Sequence, residues 1–354
     1  GSAGNSAGGN RDVTSVYGEV LIPILDSLEA SLAGRYDDYN DYGDDTSPKV
    51  SLRWQPLDTL TLRGSYGEGF RAPTLDIVTQ LDSFSADSVR DEQTCLNQSQ
   101  PANCSVQVNA VRTANPDLQS EQSKQYSFGV AYAPFNWING TLDYWDIKVE
   151  DRINFFSSQE LINAEIAGDP IPGGLGVIRA PNGSILNIIT GYGNQGEVET
   201  SGIDLNVLTS FDLFGGTLSN NLLVAYTLDY KIDGGRDLVE DPGVPEYRAT
   251  LNNVYAWRDF SFGWNINVIG SQYDTVESND SGGVDKDGHV PTWVTHDLQA
   301  NYFTPWDGRI TIGAINVGDK GPPIGVGFID SRDYDFNLYN GDGRTAYVRY
   351  TQSF

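Results

Sequence analysis

The sequence predicts an all-β chain and, within that class, an antiparallel barrel that crosses a membrane. Three observations lead there. Period-two alternation recurs along most of the chain, short turns alternate with long excursions, and glycine and aromatic residues are abundant. There are 39 Gly, and aromatics make up 11% with Tyr the commonest at 19. Strand-and-turn chains carry this composition and helix-rich chains rarely do. A length of 354 residues would fit two or three domains, but barrels exceed that guideline as single units.

The alternation is clearest where one face is apolar and the other small or polar. Tyr126, Phe128, Val130 and Tyr132 share a face, with Ser127, Gly129 and Ala131 opposite. Leu218, Leu222, Val224, Tyr226 and Leu228 form another apolar face, broken by Asn220. Tyr247, Ala249, Leu251, Tyr255 and Trp257 form a third, and Ala346, Val348, Tyr350 and Phe354 a fourth, with Gln352 among them. Small and polar residues on the second face suit a wet or plugged lumen better than a packed core. About thirteen strands are expected, near 13–23, 28–38, 49–56, 59–70, 122–133, 138–151, 188–211, 216–230, 246–258, 260–273, 292–304, 308–317 and 344–354. The 188–211 span is long enough to contain a bulge or loop. The apolar face of 138–151 switches between Tyr144 and Trp145, as a bulge would cause.

The connections sort into two kinds. Pro56-Leu-Asp58, Pro134-Phe-Asn136, Gly215-Gly216, Trp257-Arg-Asp259 and Pro305-Trp-Asp307 are short. The stretches 39–48, 71–120, 152–187, 231–245, 274–291 and 318–343 are long. Short turns at one end and long loops at the other is the asymmetry of an outer-membrane barrel. Tyr and Trp collect near strand ends, at Trp54, Tyr66, Trp137, Trp145, Tyr255, Trp257, Trp264, Trp293, Tyr302, Trp306 and Tyr350, which reads as two interfacial girdles.

Composition excludes other classes. A net charge of −26 argues against nucleic acid, whose phosphates need Lys and Arg clusters. No run of 18 apolar residues supplies a transmembrane helix, which leaves a barrel open. With two His and no local nucleophile–base pattern, an enzyme is not expected. Cys95 and Cys104, nine positions apart, read as a local disulfide in an exported chain, and with no nearby His a zinc site is not expected. The chain has no Met, and GSAGNSAGGN at residues 1–10 reads as a flexible segment outside the fold.

Five stretches together resemble the C-terminal part of a TonB-dependent outer-membrane receptor. GEGFRAPTL (Gly67 to Leu75) resembles the family's strand-end signature, and ANPDLQSEQSKQYSFGVAY (Ala114 to Tyr132) its loop-to-strand return. NQGEVETSGIDL (Asn194 to Leu205) resembles the strand after the next long loop, and RYDDYNDYGDDTSPKVSLRWQP (Arg35 to Pro56) an earlier hairpin. NVGDKGPP (Asn316 to Pro323) and GRTAYVRYTQSF, ending at Phe354, resemble the closing pair and terminal aromatic, with Gln352 a departure.

The resemblance implies a 22-stranded barrel around a plug, of which this chain would hold the C-terminal strands at 13–354, after a flexible segment at 1–12. The plug, the first strands and the TonB box would lie on an N-terminal portion of the same receptor. An odd sheet with two bare edges is not stable in lipid, which is the physical reason to expect that portion. The implied function is TonB-dependent import of a scarce nutrient, a siderophore–iron complex or another large ligand, across the outer membrane of a Gram-negative bacterium. The alternative is a barrel that docks a partner protein or peptide on its loops without transport. Expected partners are the plug, TonB, lipid and lipopolysaccharide, and an extracellular ligand.

Candidate sites follow from position. Tyr39, Asp41, Tyr42, Arg71, Tyr273 and Trp293 are candidates for ligand-binding loops, and Arg53, Arg63, Glu68 and Arg248 for the plug-facing lumen, since charges within the membrane must point inward. Pro73 stops the strand after Arg71. Asp37, Asp38, Asp41, Asp44 and Asp45 crowd one loop and Asp280, Asp285 and Asp287 another, which leans towards a neutral or cationic ligand, or a peptide or sugar stacked on Tyr and Trp. No cofactor is required. Asp285-Lys-Asp-Gly288 resembles the opening of a calcium loop, without the later bidentate acid, so Asp285 and Asp287 are a calcium candidate. His289 and His296 read as exposed, non-functional histidines.

Overall fold

A computed structural model describes residues 6–278, 284–325 and 334–352. Asp280 and Phe354 lie outside the described residues. Four strands open the chain: β1 (Val13–Leu25), β2 (Leu28–Tyr39), β3 (Gly43–Leu57) and β4 (Leu60–Arg71). An excursion follows with α1 (Leu75–Thr79), β5 (Ser83–Val89), α2 (Glu92–Asn97) and β6 (Val106–Arg112). After β7 (Glu121–Phe135) and β8 (Ile138–Glu150), a second excursion holds β9 (Ile153–Phe156), α3 (Ser158–Ala167), β10 (Gly176–Arg179) and β11 (Ile185–Asn194). Then come β12 (Val198–Leu213), β13 (Gly216–Ile232), β14 (Tyr247–Trp257) and β15 (Phe260–Ile269). A small hairpin of β16 (Thr275–Ser278) and β17 (Val284–Asp287) precedes β18 (Trp293–Phe303), β19 (Gly308–Ile315) and β20 (Thr345–Gln352).

Thirteen of these strands pair in one antiparallel sheet, in chain order from β1 to β20 and skipping the strands of the two excursions and the β16–β17 hairpin. Register explains why the alternation in sequence becomes two chemically distinct faces. One row of paired residues reads Leu28, Trp54, Leu62, Val130, Leu142, Leu205, Val224, Ala249, Val268 and Val294 across ten strands. The adjacent row, one position along each strand, reads Glu29, Arg53, Arg63, Gly129, Asp143, Asp204, Ala225, Arg248, Ile269 and Trp293. Neighbouring residues on a strand point to opposite faces, so the first row is an apolar outer wall and the second lies on a polar inner wall.

Six turns fall at one end of the sheet, and the three-residue β2–β3 turn at residues 40–42 lies at the other. Two residues join β1 to β2, β3 to β4, β7 to β8, β12 to β13 and β14 to β15, and four join β18 to β19. At the β12–β13 turn both Phe214 (φ 50°) and Gly215 (φ 79°) lie in left-handed backbone, the conformation that matches hairpin twist. Aromatic pairs ring this end: Phe135 stacks on Trp137, and Phe260 stacks on Trp257 and on Tyr302.

Several expectations are corrected. The 39–48 stretch is not a long loop, because β2 runs to Tyr39 and β3 restarts at Gly43. The 188–211 span is two strands, β11 in the excursion and β12 in the wall, divided at 195–197. No bulge breaks β8. It pairs with β12 without a shift, and the shift lies in the β12–β13 pairing, where Ser201 faces Asp229 and Gly202 faces Thr227, leaving Leu228 of β13 as the extra residue. Trp145 is therefore an inner-face residue lying over Gly202, where a Cβ would meet its ring at 2.4 Å, and not part of a girdle. Residues 6–12 are tied to the fold: Ala7 bridges Gln80, and Arg11 pairs with Asp41.

The excursions, read from sequence as long loops, fold. β10, β11, β6 and β5 make one sheet across both, with β6 and β11 parallel, so two loops far apart in sequence share a body. Its core is Val89, Cys95, Val106, Val108, Ala110, Leu161, Ile162 and Ile188. A Ser157–Glu160 capping box starts α3, and Gly168 (φ 75°) ends it. The Cys95–Cys104 disulfide is formed. On the other side, Ile269, Val290, Trp293 and Tyr339 form a second loop core with Tyr334 and Leu338 packed against it.

Candidate functional site

The loop end carries two clusters that bind the loops to one another. In the first body, Asp91 caps α2 by accepting from Thr94 N at 2.9 Å, and accepts from Arg179 of the other excursion at 2.9 Å. Arg179 also donates to Glu165 at 2.7 Å, so one guanidinium ties both excursions. Burial opposes ionisation of Asp91, but the hydrogen bonds from Arg179 and Thr94 overcome it and hold its carboxyl below the ordinary carboxylate range. The same carboxylates push the Arg179 guanidinium further up. In the second body, the buried Gln272 accepts from Gly243 N at 2.9 Å and donates to the Tyr339 hydroxyl. Lys286 reaches Asp241 at 3.4 Å and lies over the Tyr273 ring at 4.7 Å.

The sequence-predicted loop residues separate into exposed and structural groups. Tyr39, Asp41 and Tyr42 come together at the β2–β3 tip, where Arg11 pairs with Asp41 at 2.6 Å and lies 5.4 and 5.5 Å from the two rings. Arg35 likewise holds Asp37, and Asp45 accepts from Tyr42, Ser120 and Gln122. Three of the five crowded aspartates are thus already engaged, which removes most of the reason to expect a cationic ligand. Arg71 sits at the mouth in a two-pronged pair with Glu121, which also accepts from Ile153 N at 2.7 Å. Trp293 is a core residue, 8% exposed and edge-on to Tyr339, because its strand begins beneath the second loop body. Asp285 and Asp287 lie in the extended backbone of β17, paired with Glu277 and Thr275, rather than in a wrapped loop.

On the inner wall Arg53 pairs with Glu29 at 3.6 Å, and Arg63 reaches Asp143 at 2.6 Å. Arg63 and Asp143 belong to β4 and β8, with β7 between them. The pair closes over Gly129, where a Cβ would stand 1.9 Å from an Asp143 oxygen. Arg248 and Asp204 line a hollow of about 350 Å³ with Asn206, Leu223 and Thr250. Glu68 is a correction: it lies five residues from Arg63, and period two sends it to the outer face, where the Tyr66 hydroxyl donates to it.

One cluster went unread in the sequence. Arg112, at the end of β6, lies 4.8 Å from the Phe155 ring and 5.3 Å from the Tyr192 ring, and donates to the Tyr192 hydroxyl at 3.2 Å. The alternation Val106, Val108, Ala110 was a legible signal for β6, but Phe155 and Tyr192 arrive from the other excursion and nothing local links them.

An antiparallel sheet with an apolar outer face, a charged inner face, turns at one end and folded loops at the other defines the wall of a membrane β-barrel. Residues 1–317 match the family model described as TonB dependent receptor-like, beta-barrel, and the chain belongs to that family, whose members reside in the Gram-negative outer membrane. Among solved structures, the siderophore receptor PirA from Acinetobacter baumannii aligns with a TM-score of 0.69 and 17% identity, over 97% of this chain and 46% of that one. A ferric enterobactin receptor (PfeA) mutant from Pseudomonas aeruginosa aligns at 0.65 and 18%, over 97% and 45%. A hemin receptor of Yersinia pestis is 28% identical over 148 residues, 38% of this chain and 20% of that protein. The chain thus spans less than half the length of these relatives.

Proposed function

We propose that this chain forms part of the wall and ligand-capturing loops of a receptor that imports an iron complex, a ferric siderophore or hemin, across the outer membrane under the action of TonB. The supporting observation is the pairing of a charged inner wall with two folded loop bodies at one end, within a family of such receptors. In this reading Arg53, Arg63 and Arg248 face a plug, which couples to TonB, while Tyr39, Asp41, Tyr42, Arg71 and Tyr273 edge the ligand vestibule. The wall does no covalent chemistry. It closes backbone hydrogen bonds in lipid and holds the loops in place.

The test is uptake of radiolabelled iron, as hemin and as ferric enterobactin, by cells carrying the full-length receptor with and without TonB. Uptake of either that needs both receptor and TonB supports import. Surface binding without TonB-dependent uptake would instead favour a docking barrel.

A further inference from the structure

Arg112 differs from its neighbours in the first loop body. Arg71 and Arg179 are each held by carboxylates, and Arg90 is exposed to solvent. Arg112 is half-buried and, among the described residues, has no carboxylate partner. Its Nε is sealed from solvent without an acceptor, and its one hydrogen bond goes to a neutral hydroxyl. In a chain of net charge −26, a half-buried guanidinium whose Nε is sealed from solvent without an acceptor is an unusual feature among the described residues. Two rings flank the guanidinium, and Phe155 is itself 40% exposed. The frame is rigid: β6 and β9 both pair with β11, and Asn115 donates to the Tyr192 carbonyl at 2.8 Å.

We propose that Arg112, Phe155 and Tyr192 form a capture site for a ligand that presents an anionic oxygen beside a flat aromatic ring. The guanidinium supplies charge-assisted donors to the oxygen, and the exposed Phe155 ring supplies a stacking surface. The assignment rests on the import reading and narrows it to anionic ligands, against the acidic character of the loops as a whole. Hemin carries carboxylates on a porphyrin, and ferric enterobactin carries catecholate oxygens on aromatic rings, so both meet the requirement.

The experiment is a fluorescence titration of the purified full-length receptor in detergent, with hemin in one arm and ferric enterobactin in the other. The wild type binds at least one of them, and that arm identifies the source of the anionic oxygen. Arg112→Gln weakens binding about tenfold or more, the worth of one charge-assisted contact, and Arg112→Lys recovers part of the loss. Added salt weakens the wild type more than Arg112→Gln. Resistance of the Cys95–Cys104 disulfide to mild reductant reports whether the loop body stays folded in each variant. Binding by Arg112→Gln within twofold of wild type in the responding arm overturns the site and leaves import standing. Equal losses in Gln and Lys variants with an unprotected disulfide assign Arg112 a structural role and also overturn it. Failure of the wild type to bind either probe, with no TonB-dependent uptake of either, removes both readings.

Discussion

The Arg63–Asp143 pair depends on what Gly129 lacks. Two strands that are not neighbours exchange a bidentate ion pair because the strand between them carries no side chain at the crossing. The same device recurs where Tyr347 of β20 crosses Gly313 to donate to Gln299 of β18 at 2.9 Å. Glycine within these strands therefore marks a close approach rather than mere flexibility. Gly129→Val should break the Arg63–Asp143 pair and lower the unfolding free energy in detergent by about 1 kcal/mol, since Arg63 is well exposed and its ion pair modest. Arg63→Leu with Asp143→Leu in the Gly129→Val background should add little further, a double-mutant-cycle outcome that unrelated strain at Gly129 would not produce. Asp91 yields a pH prediction. Its folded pKa lies below the unfolded one, so its contribution is present above the unfolded value and is lost as pH falls through the folded value. Protease resistance of the first loop body should decline below about pH 4, and Asp91→Asn should abolish that decline.

At the scale of elements, the loop bodies behave as small domains carried by the wall. The core of the first is separate from the wall, while that of the second takes in Ile269 of β15 and Trp293 of β18; Leu161 and Ile162 of α3 are fully buried among residues of both excursions. Leu161→Ala should destabilise the first body by about 2–5 kcal/mol, the usual range for a large core truncation. Removing the disulfide by Cys95→Ser with Cys104→Ser should cost about 2.7 kcal/mol on the chain-entropy account of a ten-residue loop. Both effects belong to the body alone. Limited proteolysis should nick 72–120 and 151–197 together in either variant, while heat-modifiability of the barrel on gels stays as in wild type.

For the whole molecule, the two faces and the two ends settle orientation in the membrane. The apolar row from Leu28 to Val294 crosses ten strands without a charge, so the outer wall meets lipid and the charges of the next row meet the lumen. A charge placed in the first row should be far more disruptive than one placed in the second. Leu142→Arg should reduce folded barrel by about 2–4 kcal/mol in refolding into lipid vesicles. Thr141→Arg, one residue away on the inner face, should be tolerated.

Much of the architecture was legible because period two is a local property. Thirteen strands, most of their apolar faces and the disposition of turns and loops, apart from the β2–β3 connection, can be read from alternation and from proline and glycine alone, since each strand meets lipid on one side wherever it sits. Even the disulfide pairing was readable, from two cysteines nine positions apart. The misplaced residues failed for a shared reason. Glu68 required an unbroken count from Arg63, and Trp145 required knowing that the register shift lies between β12 and β13, at Leu228 of β13, and not on β8. The loop bodies were hidden because their contacts join residues about 80 positions apart, such as Asp91 with Arg179 and Arg112 with Tyr192. The sequence by itself determined the wall, because alternation against lipid needs no distant partner. Only the tertiary structure decided the mouth, because an anion-seeking guanidinium between two rings exists only once two separate excursions have folded into one sheet.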